Sequence, residues 1–220
     1  MSGANVHWQR AQAIRYQIPH SGEYAPPVVS WRADTSRSAL LVHDMQRYFL
    51  ARFDLASPPA ADLVDNVDRT IGAARRAGVP VFYTAQPGGM TPDQRGLLAD
   101  FWGAGMTVSP EHRRVVDRLA PHAGDVVLDK WRYSAFVRSP LESHLREAGR
   151  DQLVLCGIYA HVGVLATALD AYSRDIETFV LADAVADFDR TQHLQALDYV
   201  ARTSARVTTT GTLLAEWDER

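Results

Sequence analysis

The stretch DQLVLCGIYAHVGVLATALDAYSRDIETFVLAD, residues 151–183, holds the pattern that decides the fold. It opens on a continuous apolar run, QLVLCGIYA (152–160). It continues through VGVLATALDAYSRD, where Leu165, Ala168 and Tyr172 fall on one side of a helix. It closes on a second apolar run, ETFVLAD (177–183). A run without polar alternation is what a strand buried on both faces requires. Two such strands joined by a helix read as a parallel pair with a crossover.

The same alternation extends outward in both directions. SALLVHD (38–44), VPVFYTAQ (79–86), DVVLDK (125–130) and RVTTT (206–210) are further strands, six in all. Residues 61–78 place Leu63, Val64, Val67, Ile71 and Ala74 on one helical face and stop at Gly78. EHRRVVDRLA (111–120) reads as a short helix. SPLESHLREAG (139–149) reads as a helix with Ser139 at the N-cap and Pro140 at its first position. Residues 189–205 supply another helix. The expected fold is a three-layer α/β/α domain over residues 38–220, built on an open, mainly parallel, Rossmann-like sheet with helices on both faces. Residues 1–37, rich in Pro and Ser, read as an irregular arm packed on that domain.

Composition narrows the function. With 220 residues, 46% hydrophobic, and a net charge of −3, the chain suits one domain with a substantial core. Nothing favours nucleic acid or a membrane surface. No apolar run approaches a membrane span, and the first residues lack a signal-peptide core, so a cytoplasmic location is expected. There is no GxGxxG, Walker A, GxSxG or HExxH pattern, and the eight histidines form no ligand grouping. No cofactor or metal is therefore expected. Cys156 lies mid-strand, where a structural thiol belongs rather than a nucleophile.

Of the 23 lysines and arginines, only Lys130 is a lysine. A compositional bias toward arginine explains the other 22, and it marks Lys130 as a place where a guanidinium fork does not serve. In open parallel sheets ligands sit beyond the carboxyl ends of the strands. The strand ends carry His43-Asp44, Thr84-Ala85-Gln86, Asp129-Lys130, Tyr159-Ala160-His161 and Asp183. A cleft holding Asp44 and Lys130 follows.

The segments LLVHDMQRYFL (40–50), YTAQPGGMTPDQRGLLADFWGAGM (83–106), DKWRYSAF (129–136) and 151–188 resemble the isochorismatase family of the cysteine-hydrolase superfamily. Amide hydrolases of that superfamily use an Asp–Lys–Cys triad. Asp44 and Lys130 match its first two members, but the nucleophile's position holds Gly163. Without a thiol no thioester can form. The resemblance then implies a vinyl-ether hydrolase that releases pyruvate from a cyclohexadiene diacid. The segment 86–103, and the end of the chain at Arg220 without an aryl-carrier segment, resemble the phenazine-type enzymes more than the siderophore-type ones. The substrate implied is 2-amino-2-deoxyisochorismate, giving trans-2,3-dihydro-3-hydroxyanthranilate in an antibiotic-type secondary pathway. The alternatives are isochorismate itself, giving 2,3-dihydro-2,3-dihydroxybenzoate, or an inactive binding or scaffold member.

Cleaving a vinyl ether requires an acid aimed at carbon, which assigns Asp44 as the general acid, its pKa raised by apolar surroundings and by the substrate's negative charge; a nearby Lys130 would lower it unless committed to the substrate. The remaining roles follow the resemblance and that assignment. Lys130 anchors the pyruvyl carboxylate. Gln86 and Arg95 hold the ring carboxylate, Tyr133 and Tyr159 line the pocket, and Tyr48 or Phe49 covers the ring. Gly163 opens a helix over 163–174 and offers its N–H to an anion. A non-proline cis peptide at Ile158–Tyr159 and a homodimer also carry over.

Overall fold

The computed structural model describes residues 13–219; residues 1–12 of the expected arm, and Arg220, lie outside them. Six strands form one sheet: β1 (Ser38–His43), β2 (Val81–Ala85), β3 (Val126–Asp129), β4 (Gln152–Ile158), β5 (Glu177–Ala186) and β6 (Arg206–Thr208). Their order is β3-β2-β1-β4-β5-β6, and every pairing is parallel. The chain builds outward from β1 to β3, then returns to the middle to add β4. The switch between β1 and β4 is where open α/β sheets leave a crevice.

Period-two alternation in β1 decides which residue serves which face. Leu40 and Val42 pack with Leu63, Val67 and Ile71 of α2 (Ala60–Ala77) and with Leu213 and Trp217 of α9 (Thr210–Asp218). Ala39 and Leu41 face the other way, into a core with α6 (Leu141–Glu147), α7 (Leu165–Tyr172) and α8 (Arg190–Thr203). All six residues of β1 are buried, as the unbroken apolar run requires. Each fully buried Leu or Val contributes about 1.5–3 kcal/mol of transfer free energy. The sheet is thus covered on both sides, and the three-layer reading of the sequence holds.

Local details depart from the sequence reading. Residues 111–120 are not one helix. They form α5 (Pro110–Arg113) and a turn of 3-10 helix at Asp117–Leu119, with Arg114–Val116 extended between them. That extended piece binds the segment after β1: Arg47 N–H donates to Arg114 O, and Val116 N–H to Met45 O. Tertiary pairing has overridden a helical pattern only ten residues long. α6 begins one residue later than expected; Pro140 is therefore the N-cap rather than Ser139, whose Oγ still accepts from Leu141 N–H at 3.3 Å. α9 and three one-turn helices, α1 (Arg47–Leu50), α3 (Pro92–Arg95) and α4 (Leu98–Trp102), were not anticipated. Residues 13–37 contribute one isolated bridge, Ile14 to Phe53, and the Tyr16 hydroxyl accepts from Asp187 N–H at 2.7 Å.

Candidate active site

A cavity of about 420 Å³ opens at the β1/β4 switch. Its floor comes from three strand ends. Asp44 follows β1 with a left-handed backbone, φ 50°, uncommon for a residue other than glycine and characteristic of functional sites. Lys130 follows β3, its N–H donating to Ala85 O at 3.1 Å. Gly163 comes from the segment after β4. The sequence-predicted Asp44, Lys130, Gly163, Gln86, Arg95, Tyr133, Tyr159, Tyr48 and Phe49 all line this cavity.

Asp44 and Lys130 form a buried pair, Nζ to Oδ2 at 3.0 Å, with the residues 7% and 4% exposed. Thr84 completes the carboxylate's shell. Its Oγ1 accepts from Asp44 N–H at 3.1 Å and donates to Oδ1 at 2.5 Å. Burial alone would raise the pKa of Asp44. The Lys130 ammonium, then His43 and the Thr84 hydroxyl, more than offset it and hold the carboxyl below its ordinary range. The expectation of a raised pKa is therefore corrected for the ligand-free protein. The sequence reveals no distance, and here the ammonium stands in direct contact.

Arg95 is 5% exposed. Its Nε donates to Gly103 O at 2.9 Å, Nη1 to Gln86 Oε1 at 3.1 Å, and Nη2 to Trp102 O at 3.4 Å. These partners are all neutral, and burial lowers the guanidinium's pKa. A buried cation held by neutral oxygens and facing a cavity is chemically suited to an anion. Three of its five N–H donors are used, so a carboxylate could take the remaining two. Gln86 is fixed in turn by Gln46, whose Oε1 accepts from Gln86 N–H at 2.8 Å and whose Nε2 donates to Gln86 O at 3.0 Å.

Aromatic rings form the walls. Tyr159 stacks on Phe188 with centroids 4.1 Å apart, and its hydroxyl donates to Phe49 O at 3.0 Å. Tyr48 meets Phe49 edge-on at 5.2 Å. Trp102 stacks on Phe188 at 5.9 Å and donates its Nε1–H to the Tyr133 hydroxyl at 2.7 Å, closing one side. The Ile158–Tyr159 peptide is cis. Sequence reasoning missed Thr84, Trp102, Phe188, Arg52 and Arg132; the last four line the cavity and Thr84 holds its acid. Trp102 lies in a segment already singled out, and Thr84 at a strand end already flagged. Phe188, after β5, ends the segment 151–188 that carries the resemblance, but no spacing marked it as a pocket residue.

Gly163 does not open its helix. A π-helical turn over Ala160–Val164 leads into α7, so Gly163 is the fourth residue of the turn. The N–H of His161, the turn's second residue, is taken by Asp187 Oδ2 at 2.6 Å. Cys156 is buried, its thiol pushed up in pKa by burial, and it does not line the cavity. Among the described residues no group of three or more His, Cys, Asp or Glu could hold a metal, and no helix is long and apolar enough to cross a membrane.

A parallel α/β/α sheet with an acid–ammonium pair at its switch point, a buried guanidinium and no thiol in the cavity fits a hydrolase-type pocket for a small molecule. The chain belongs to the isochorismatase family: the Isochorismatase domain matches residues 38–212, and the chain is an isochorismatase-type hydrolase. It is 52% identical over 197 residues to phenazine biosynthesis protein PhzD of Pseudomonas fluorescens, covering 90% of this chain and 94% of that one. It is 48% identical over 199 residues to enterobactin synthase component B of Escherichia coli, covering 90% and 70%. A cysteine hydrolase from Pseudomonas syringae pv. phaseolicola shares the fold at TM-score 0.79 and 26% identity, covering 87% of this chain and 97% of that one.

Proposed function

We propose that the chain hydrolyses the vinyl ether of 2-amino-2-deoxyisochorismate, releasing pyruvate and trans-2,3-dihydro-3-hydroxyanthranilate. The observation that carries this reading is the buried Asp44–Lys130 pair beside a glycine where a thiol would stand. Similarity to PhzD along nearly the whole of both chains supports the amino substrate. Isochorismate is the second reading, favoured by the 48% identity to enterobactin synthase component B.

A vinyl ether breaks when its terminal methylene carbon is protonated. Asp44 supplies that proton and the methylene becomes a methyl group. Water adds to the oxocarbenium carbon and the hemiketal collapses to pyruvate and a ring alcohol. Asp44 must therefore take up a proton that the ligand-free pocket disfavours. The substrate provides the means. Its pyruvyl carboxylate draws Lys130, offsets the ammonium's charge and adds a negative charge of its own, and all three effects raise the pKa of Asp44. Oδ1 is held as an acceptor by Thr84, so the proton sits on Oδ2, the oxygen Lys130 releases. Arg95 and Gln86 hold the ring carboxylate, which fixes the methylene over the acid. Tyr159, Phe188, Tyr48 and Phe49 enclose the ring. No cofactor takes part, and a cytoplasmic homodimer carries over from the resemblance.

The test is pyruvate release from both substrates by the purified protein. The reading predicts turnover of the amino compound at least equal to that of isochorismate. Loss of roughly 100- to 10,000-fold on Asp44→Ala is expected for a general acid. If neither compound yields pyruvate, the vinyl-ether reading fails.

A further inference from the structure

His43 has no part in the reaction just described, yet it is wholly buried against the floor of the pocket. Its Nδ1 lies 2.9 Å from Ile158 O, and a carbonyl can only accept, so Nδ1 carries the hydrogen. Its Nε2 is then the acceptor. Thr167 Oγ1, which already accepts from Ala135 N–H, is placed to donate to it at 3.4 Å. Burial, then the nearby Lys130 charge, lowers the pKa of His43 to about 4, so the ring is neutral at ordinary pH. Both nitrogens are tied and no solvent space adjoins the ring, so it has no free direction in which to turn.

A Cβ built on Gly163 would lie 2.2 Å from His43 Cε1, 2.9 Å from Nε2 and 3.1 Å from Nδ1. The three nearest atoms all belong to this one ring. Contacts under 3.0 Å are essentially never made by real Cβ atoms. The obstacle is a side chain, but one held at both nitrogens. The same ring stands 3.6 Å from Asp44 Oδ2 through Nδ1, so any displacement of the ring disturbs the acid.

We infer that His43 is a positioning residue that determines the chemistry of this pocket: its imidazole fills the space a side chain at position 163 would need, excludes a nucleophile there, and fixes Asp44 from the side. The glycine at 163 is then a consequence of His43. The absence of thiol chemistry is written in the pair rather than in position 163 alone. As an account of specificity this rests on the vinyl-ether reading; as an account of packing it does not.

Four proteins test it: the parent, Gly163→Ala, His43→Ala and the double variant, each measured for Tm and for kcat and KM of pyruvate release. Gly163→Ala should lower Tm by several degrees and kcat by roughly 30-fold or more, as overpacking of a close-fitted site does. KM should change much less, because Arg95 and Gln86 are untouched. Adding His43→Ala should give back part of the Tm loss, so that the double variant melts above Gly163→Ala alone, while its kcat stays below the parent's because Asp44 has lost the ring beside it. Relief of the clash alone would restore Tm; a kcat below the parent's at little-changed KM in the folded His43→Ala and double variants marks the positioning role. The inference is overturned if Gly163→Ala behaves as the parent, or if the Tm losses simply add. Should Gly163→Ala not fold, a folded double variant supports the inference, and a failure of the double together with a folded His43→Ala overturns it. His43→Asn replaces His43→Ala if the latter does not fold. A parent without pyruvate release sinks the proposed function, while Tm in the four proteins still decides the packing claim.

Discussion

Asp44 and Lys130 show how one pair can serve stability and chemistry with opposite demands. In the ligand-free protein the ammonium keeps the carboxyl ionised. A depressed folded pKa contributes stability that is present above the ordinary value of 3.8 and lost as pH falls through the folded value. Replacing Lys130 with Met reverses the sign. Burial then raises the pKa of Asp44, so stability is kept in acid and lost as pH rises. The stability gap between the parent and Lys130→Met, read by denaturant unfolding, should open steadily from about pH 4 to about pH 7, reaching about 3–5 kcal/mol, the usual cost of an orphaned buried charge. Adding Asp44→Asn should close most of it; a gap that is flat across pH would contradict the pairing. Cys156→Ala, by contrast, should leave kcat largely unchanged, since the thiol is buried away from the cavity. Lys130 was legible as the chain's lone lysine at a strand end. Asp44 was legible as the acid that follows the first apolar run. Their contact, and with it the sign of the pKa shift, was not.

At the scale of elements, the turn that carries Gly163 is built by a residue from another element. Asp187 is fully buried; its Oδ2 accepts from His161 N–H, and its Oδ1 from Phe188 N–H at 2.8 Å, with His161 Nδ1 also 2.6 Å away. Asp187 thereby fixes the start of the π-helical turn and the Phe188 wall together. Asp187→Ala should cost about 1–3 kcal/mol through the orphaned donors. It should also lower kcat for pyruvate release, read by denaturant unfolding and steady-state kinetics. An unchanged kcat would show that the turn holds itself. The sequence marks a helix after β4 by its apolar spacing. It could not place the extra π residue or the shift of Gly163 into the turn, because both depend on a carboxylate 26 residues from His161. Residues 111–120 fail for the same kind of reason: their backbone groups find better partners at Met45 and Arg47 than in a helix of their own.

Across the whole molecule, the order of strands positions the site. Building β1 to β3 in one direction and β4 to β6 in the other leaves the crevice at the center, where the connections leaving β1 and β4 turn to opposite faces of the sheet. This much was legible, because strands buried on both faces must be apolar throughout and helices between them must be amphipathic. The last layer was not. α9 buries Leu213 and Trp217 in the core with Leu214 packed at its edge, and has Gly211 in its first turn, so its periodic signal is short. Yet Trp217 is 4% exposed and packs in the same core as α2. Trp217→Ala should cost about 3–5 kcal/mol, lowering Tm by about 6–20 °C, while kcat at low temperature stays near that of the parent. A small Tm change would mean that α9 is an accessory rather than part of the core.

The claim that joins these scales is that the pocket breaks an ether by protonating carbon, with water attacking the carbon that becomes the ketone of pyruvate. Turnover in water enriched in heavy oxygen, with the pyruvate reduced at once to lactate so that its label is retained, reads this directly. The account predicts heavy oxygen at the former ketone position and none in the ring hydroxyl. Heavy oxygen in the ring hydroxyl would mean that water attacks the ring instead, and would contradict the role given to Asp44.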